Sequence, residues 1–424
     1  MRRFTGRPLY WSATGGKFEN AIVNRYEIDR RNFLRRGLAA SVIAVASPAF
    51  PLRGFTSQPN LITRASPPVP LRLFQQQPLP RVKVARERVI REVVGLRPFR
   101  PQGFMVAAEK MGPKLLVHNY GHGGAGITLS WGTASLAVDL AQDFIQLRSQ
   151  PLRRAARGPT TFAVLGCGVS GLSTARLLQQ RYADGSSNVT IYARNLPPDT
   201  TSNVAGGFWS PTSVFDASEA TTVFTDQFAK ACKISNRAFQ TLVGPEYGVR
   251  WIRTLELLRN EASLEGELTG GNNLYAQVEV HREPQNYFGF PVAREFSTML
   301  IEPHTYLRAL IRDFYAAGGK IVVKDFKNRE QVARLRQQVV FNCTGLGARD
   351  LMKDQNLVPV RGQLEVLLPQ PEIDYCYLAN SAYMFPRKDG IVLGGTWGHD
   401  DWRLEPDPQH TSRILGLHEA IMKG

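Results

Sequence analysis

The chain has 424 residues, of which 43% are hydrophobic and 21% charged, the balance of a folded globular protein of roughly two to three domains. With 10% aromatic residues, 37 Gly and 27 Pro it is neither a coiled coil nor collagen, and no uninterrupted apolar run approaches the roughly 18 residues of a membrane-spanning helix. The net charge of +16 is uneven, since residues 1–158 carry 25 Lys/Arg against 8 Asp/Glu and the remainder carries 27 against 28. A nucleic-acid surface needs bases interleaved with stacking aromatics. Here the excess lies in an amino-terminal extension and a short linker, so no nucleic-acid partner is expected. Cys167, Cys232, Cys343 and Cys376 show no metal or disulfide spacing and should be buried thiols, with no metal site.

From the amino terminus, Asp29-Arg30-Arg31-Asn32-Phe33-Leu34-Arg35-Arg36 precedes the short apolar stretch Gly37 to Ala46 and then Ser47-Pro48-Ala49. This looks like a twin-arginine export signal, with Asp29 standing where Ser or Thr is usual and cleavage expected after Ala46 or Ala49. The implied partner is the export machinery, and the implied location is periplasmic or otherwise extracytoplasmic, or cytoplasmic where the signal is not used. Residues 47–80 are proline-rich and should form an extended linker. A second connector covers 151–158.

Thr161 to Leu165 is a short apolar strand that runs into Gly166-Cys-Gly168-Val169-Ser170-Gly171, then into helical spacing from Leu172 to Arg181 and a β-rich run from Asn188 to Ala193. Such a βαβ context makes the glycine pattern a dinucleotide-binding, Rossmann-like motif. Gly166 would make the tight turn, Gly168 would admit a pyrophosphate, and Gly171 would let helix and strand pack closely. Arg194-Asn195 replace the usual acidic residue after the second strand. Spacing alone therefore leaves flavin and nicotinamide open, and an arginine there would suit the 2′-phosphate of NADP.

Further on come Thr200-Thr201-Ser202-Asn203-Val204-Ala205-Gly206-Gly207-Phe208-Trp209, Glu302 to Leu307, Phe341-Asn342-Cys343-Thr344-Gly345, Arg361-Gly362-Gln363, Tyr383-Met-Phe-Pro386 and Leu393-Gly394-Gly395-Thr396. In this order they resemble the D-amino-acid oxidase family of FAD enzymes over most of residues 160–424. Gly95 to Pro101 and Val117 to Thr128 resemble the carboxy-terminal segment of that family, yet here they come first. The resemblance implies a natural circular permutation, with Gly424 near Arg81. The expected fold is α/β: an FAD-binding Rossmann-like domain (159–212 and 300–350) and a second, mainly antiparallel-sheet substrate domain (213–299 and 351–424), both completed by the permuted segment 81–150.

The resemblance also implies roles. Arg97 would bind the substrate carboxylate, which calls for a planar double donor, and Tyr383 would give a second contact to the same group. Arg100 should make a structural pair. Gly123, Gly124, Gly126, Ile127 and Thr128 would cradle the flavin ring, with the Gly124 region stabilising negative charge there. His122 should be a loop histidine bonded to backbone. Ala205, Gly206 and Phe208 would lie along the flavin, and Val169, Ser170, Thr200, Thr201 and Ser202 near the phosphates. Phe326 would lie near the adenine, and Cys343, Thr344 and Gly345 behind the adenosine. The tyrosine of the family's mobile lid would fall at Ala379, with Tyr377 on the same strand as a replacement left open.

The activity implied is FAD-dependent oxidation of neutral D-amino acids, with oxygen as second substrate, to 2-oxo acids, ammonia and hydrogen peroxide. The nearer alternatives are glycine, sarcosine or acidic D-amino acids, or transfer of electrons to a carrier. A non-catalytic flavoprotein would have no use for Arg97 and Tyr383, and an NADP reductase leaves 95–101 and 117–128 unexplained. The sequence is silent on oligomeric state; a homodimer is compatible with it.

Overall fold

A computed structural model describes residues 79–149, 160–182, 188–264, 268, 271–282 and 287–424. The expected export signal, nearly all of the proline-rich stretch and the 151–158 connector lie outside the described residues. The described chain opens with β1 (Val89–Phe99), β2 (Met105–Met111), β3 (Lys114–Tyr120) and helices α1 (Gly126–Leu140) and α2 (Gln142–Ser149). The expected βαβ unit follows as β4 (Thr161–Leu165), α3 (Val169–Arg181) and β5 (Asn188–Ala193). Next come α4 (Thr201–Val204), α5 (Thr222–Thr241), β6 (Val249–Leu258), β7 (Ala276–His281) and β8 (Val292–Ile301). They lead to α6 (Pro303–Ala316), β9 (Lys320–Val323), α7 (Arg329–Ala333), β10 (Val339–Asn342) and α8 (Ala348–Leu351). The end of the chain supplies β11 (Val358–Leu367), β12 (Tyr375–Ala379), β13 (Ala382–Arg387), β14 (Gly390–Gly394), β15 (Gly398–His399) and α9 (Pro408–Lys423).

Two mixed sheets organise these elements. The six-stranded sheet has the order β2-β3-β10-β4-β5-β9, parallel throughout except for the β2–β3 hairpin. Its central strands are short and apolar along their whole length because both faces are covered: Phe162 to Leu165 and Val339 to Phe341 are fully buried. Helix α1 is buried almost all the way round, as a helix sandwiched between layers must be. It packs on α3 and on α5, and Gly132 meets α5 so closely that an added Cβ would stand 2.0 Å from the Ala231 carbonyl oxygen.

The nine-stranded sheet has the order β1-β11-β14-β13-β12-β6-β8-β7, with β15 also on β11. All its pairings are antiparallel except β12 with β6. Helix α9 seals one face through Ile414, Leu415, Ile421 and Met422, which join the core around Leu255, Tyr375 and Tyr377.

The segment from residue 81 to 149 serves both sheets. Strand β1 lies against β11 in register from Arg91↔Val366 to Phe99↔Val358, with a register shift between Val89 and Arg91, whereas β2 and β3 extend the other sheet beside β10. The two ends of this part of the chain adjoin: a Cβ on Gly424 would stand 3.7 Å from Arg81 Nη2, and the Val82 amide donates to Met422 Sδ at 3.1 Å.

Candidate active site

The carboxyl ends of β4, β5 and β10 open on a cavity of 1470 Å³, as ligand sites do in open parallel sheets. The other wall is the nine-stranded sheet. Of the residues expected to hold cofactor or substrate, all but Gly171 line this one cavity. Gly171 lies beneath it, where a Cβ would come within 2.1 Å of the Gly166 carbonyl oxygen, the close helix–strand approach expected of it.

At the dinucleotide motif the backbone itself is the binding surface. Gly166 has φ +102°, and a Cβ there would meet the Cys343 carbonyl oxygen at 2.4 Å; only glycine turns the chain so tightly between β4 and α3. Gly168 precedes α3 without a side-chain cap, so first-turn amides remain for an anion. The Val169 amide donates to Ser202 Oγ at 3.0 Å, which ties the α4 turn to this helix start. Phe326 and Arg194 line the same cavity, with Lys324 stacked on the Phe326 ring at 4.9 Å. A cradle of glycine backbone and helix starts, with an aromatic and cations nearby, fits a dinucleotide.

The second glycine loop holds Gly123 at φ +55°, where a Cβ would strike the Ser213 carbonyl oxygen at 2.2 Å. The Gly124 amide donates to that same Ser213 oxygen at 2.9 Å. Negative charge in the cavity therefore meets, instead of that amide, the start of α1, whose residues Gly126, Ile127 and Thr128 line the wall and have no side-chain cap. Thr128 Oγ1 donates to the Ser210 carbonyl at 3.2 Å and so ties α1 to the loop after Phe208.

His122 departs from expectation in its partners. It is bonded to side chains and not to backbone, with Nε2 at 3.0 Å from Asn119 Oδ1 and Nδ1 at 3.4 Å from Ser170 Oγ. Burial lowers its pKa to about 4, so it is neutral near pH 7. Burial likewise pushes the thiols of Cys167, Cys232 and Cys343 up to about 12; all four cysteines are free and buried. Among the described residues no cluster could hold a metal ion.

Arg97 and Tyr383 approach each other at the nine-stranded sheet, Nη2 to phenol oxygen 3.5 Å. The guanidinium also lies 3.5 Å from the Arg361 carbonyl and 5.4 Å from the Trp397 ring centroid, and it has no carboxylate partner among the described residues. Tyr383, Phe385 and Phe208 form a continuous stack, with centroids 5.1 and 4.9 Å apart. Arg100 is a structural residue as expected, with Nε donating to Asp354 Oδ2 at 2.9 Å and Nη1 to the Gly103 carbonyl.

Ala379 does not line the cavity: it is buried with Tyr377 in the core under α9, where the Tyr377 hydroxyl meets His418 Nδ1. Tyr377 thus takes no lid position. Leu378, between them and facing the opposite way, lines the wall beside Tyr383. Trp397 over Arg97 and Glu256 beside Leu378 were not expected from sequence. Trp397 follows the Gly394-Gly395-Thr396 motif and could have been found there, whereas Glu256 depends on strand register that no local pattern reveals.

The FAD dependent oxidoreductase (DAO) family model matches residues 161–423. A D-amino acid oxidase of Dugesia ryukyuensis is 30% identical over 272 residues, covering 62% of this chain and 77% of its own. A D-amino-acid oxidase of Rubrobacter xylanophilus is 31% identical, covering 61% and 76%. A solved glycine oxidase from Geobacillus kaustophilus is 15% identical, with TM-score 0.47 over 62% of this chain and 78% of that one. With its glycine cradles in place and the family model spanning most of its length, the chain belongs to the DAO family of FAD-dependent oxidoreductases, and FAD is its cofactor.

Proposed function

We propose that this protein oxidises D-amino acids, short neutral ones among them, to 2-oxo acids, with ammonia and hydrogen peroxide as the other products. Bound FAD would supply a two-electron acceptor for the α-hydrogen and a route for those electrons to dioxygen. The observation that carries this reading is the Arg97–Tyr383 pair: a guanidinium with no carboxylate partner among the described residues, set against a phenol and opening on the FAD cavity. A substrate carboxylate is the anion that completes it, and a two-point clamp on that group fixes the α-carbon for reaction. Phe208, Phe385 and Leu378 beside the clamp offer apolar contact to the substrate side chain. Trp397 covers the guanidinium and limits its hydration. Among the described residues the wall next to Tyr383 carries Leu378 and Glu256 and no second cation, which disfavours acidic D-amino acids. Arg97→Leu should retain the flavin absorbance and lose roughly 10²–10³-fold in kcat/KM for D-alanine, the cost of removing one partner of a charge-assisted pair. An Arg97→Leu enzyme with unimpaired D-alanine oxidation would refute the assignment.

We further infer that the chain order is a circular permutation of the family's. Three observations support it. The family match ends at residue 423 while β1, β2 and β3 lie before its start. Those strands complete both sheets. The Arg81 side chain lies beside Gly424.

A further inference from the structure

We propose that Glu256 forms the far end of the substrate side-chain subsite and selects D-amino acids with a long, cationic side chain, such as D-lysine and D-arginine. This rests on the D-amino-acid reading above and deepens it. Across the nine-stranded sheet, Gly394, Tyr383, Leu378, Glu256 and Arg294 are successive cross-strand neighbours, and directly opposed residues share a face. Tyr383, Leu378 and Glu256 all line the cavity. At about 4.8 Å per strand the Glu256 backbone stands roughly 10 Å from that of Tyr383. A methyl or isopropyl group held by the Arg97–Tyr383 clamp falls short of it, and a chain of four or more heavy atoms runs over Leu378 towards it.

The carboxylate is fixed and only partly used. Arg294 Nε and Nη2 both bond Oε2, at 2.7 and 2.5 Å, and Oε1 has no partner among the described residues. The Arg294 side chain is 9% exposed and that of Glu256 is 26% exposed; only Glu256 lines the cavity. The arginine is thus the carboxylate's support, and an entering chain meets the acid first. An ammonium or guanidinium donates to Oε1. A neutral chain of the same length covers that oxygen without replacing its hydrogen bond to water, and a site built this way rejects such an analogue.

The test compares the holoenzyme's kcat/KM for D-lysine, D-arginine, D-norleucine and D-alanine, followed by peroxide release and flavin bleaching. The expected result is at least a tenfold preference for D-lysine and D-arginine over D-norleucine, expressed in KM, with Glu256→Gln lowering that ratio about tenfold. D-alanine oxidation together with an equal or greater rate constant for D-norleucine than for D-lysine overturns the assignment of Glu256 and leaves the D-amino-acid reading standing. A ratio unchanged in Glu256→Gln does the same. Should Glu256→Gln not fold, the wild-type ratio alone decides. No flavin reduction by D-alanine or any other of these substrates overturns both readings.

Discussion

Arg97 and Tyr383 can meet only because two glycines leave them room. A Cβ on Gly362 would stand 2.4 Å from Arg97 Nη2, and one on Gly394 would stand 2.1 Å from the Tyr383 ring. Close-packed walls do not absorb such an overlap without moving the group they hold. Gly394→Ala should therefore displace the phenol and lower kcat/KM for D-alanine by about 10²-fold, since misplacement of about 1 Å is enough, with the flavin spectrum retained; an unchanged rate would show that Tyr383 has no part in the clamp. The carbonyl of that same Gly394 accepts from His418 Nε2 at 3.0 Å. Burial holds the pKa of His418, like that of His122, at about 4 against an ordinary 6.5. A base with a depressed folded pKa binds its proton more readily when unfolded, so its contribution is complete above pH 6.5 and is lost as pH falls towards 4. Each imidazole accounts for up to roughly 3 kcal/mol. His418→Asn should melt at a temperature that falls less steeply than that of wild type between pH 7 and 4.5, as followed by circular dichroism, and parallel slopes would count against a neutral buried His418.

Among the elements, α1 joins structure to cofactor, because its first turn lines the cavity and its middle packs on α5. Gly132 donates its amide to Ser235 Oγ at 2.8 Å, and the Ala231 oxygen stands where its Cβ would be. Alanine gains up to about 1 kcal/mol of helix propensity but forces the two backbones apart, at a cost of about 1–3 kcal/mol. Gly132→Ala should lower the melting temperature and weaken FAD binding together, measured by thermal shift with and without added FAD; a variant that binds FAD normally would uncouple the helix contact from the cradle. This element was legible in its two halves for different reasons. The βαβ unit declares itself because the glycine pattern sits between an apolar strand and a helical run, where local spacing carries the physics. Strand β1 and the α1 loop carry no such local signal, and only the likeness of residues 95–101 and 117–128 to family segments pointed to the cavity. Glu256 escaped both routes, since its place beside Leu378 is fixed by the single parallel pairing of β12 with β6. Of the loop amides, that of Gly124 is taken by a tertiary partner, the Ser213 carbonyl, which local pattern could not show either.

For the whole molecule the question is what the proposed permutation of chain order would cost. In the native order Arg97 and the Arg361 carbonyl it approaches are 264 residues apart, and β1 cannot pair with β11 until almost the entire chain is made. Joining Gly424 to Arg81 through a short Gly/Ser linker, and opening the chain between residues 149 and 160, brings that separation to roughly 80 residues plus the linker. Nearly all folded contacts stay the same, because Arg81 already lies beside Gly424; the bond from the Tyr375 hydroxyl to the Pro80 carbonyl and the packing of Leu79 are lost, and the closure entropy changes only with the logarithm of loop length. Stability and site geometry should therefore be preserved, with FAD bound and D-alanine kcat/KM within about tenfold of the natural order. Refolding should be faster, since rates rise as the mean separation of contacting residues falls. Stopped-flow recovery of tryptophan fluorescence for both chains measures this directly. A relinked chain that is colourless and aggregated would mean that the 81–149 segment needs its native amino-terminal attachment to find the two sheets, and the permutation would lose its structural basis.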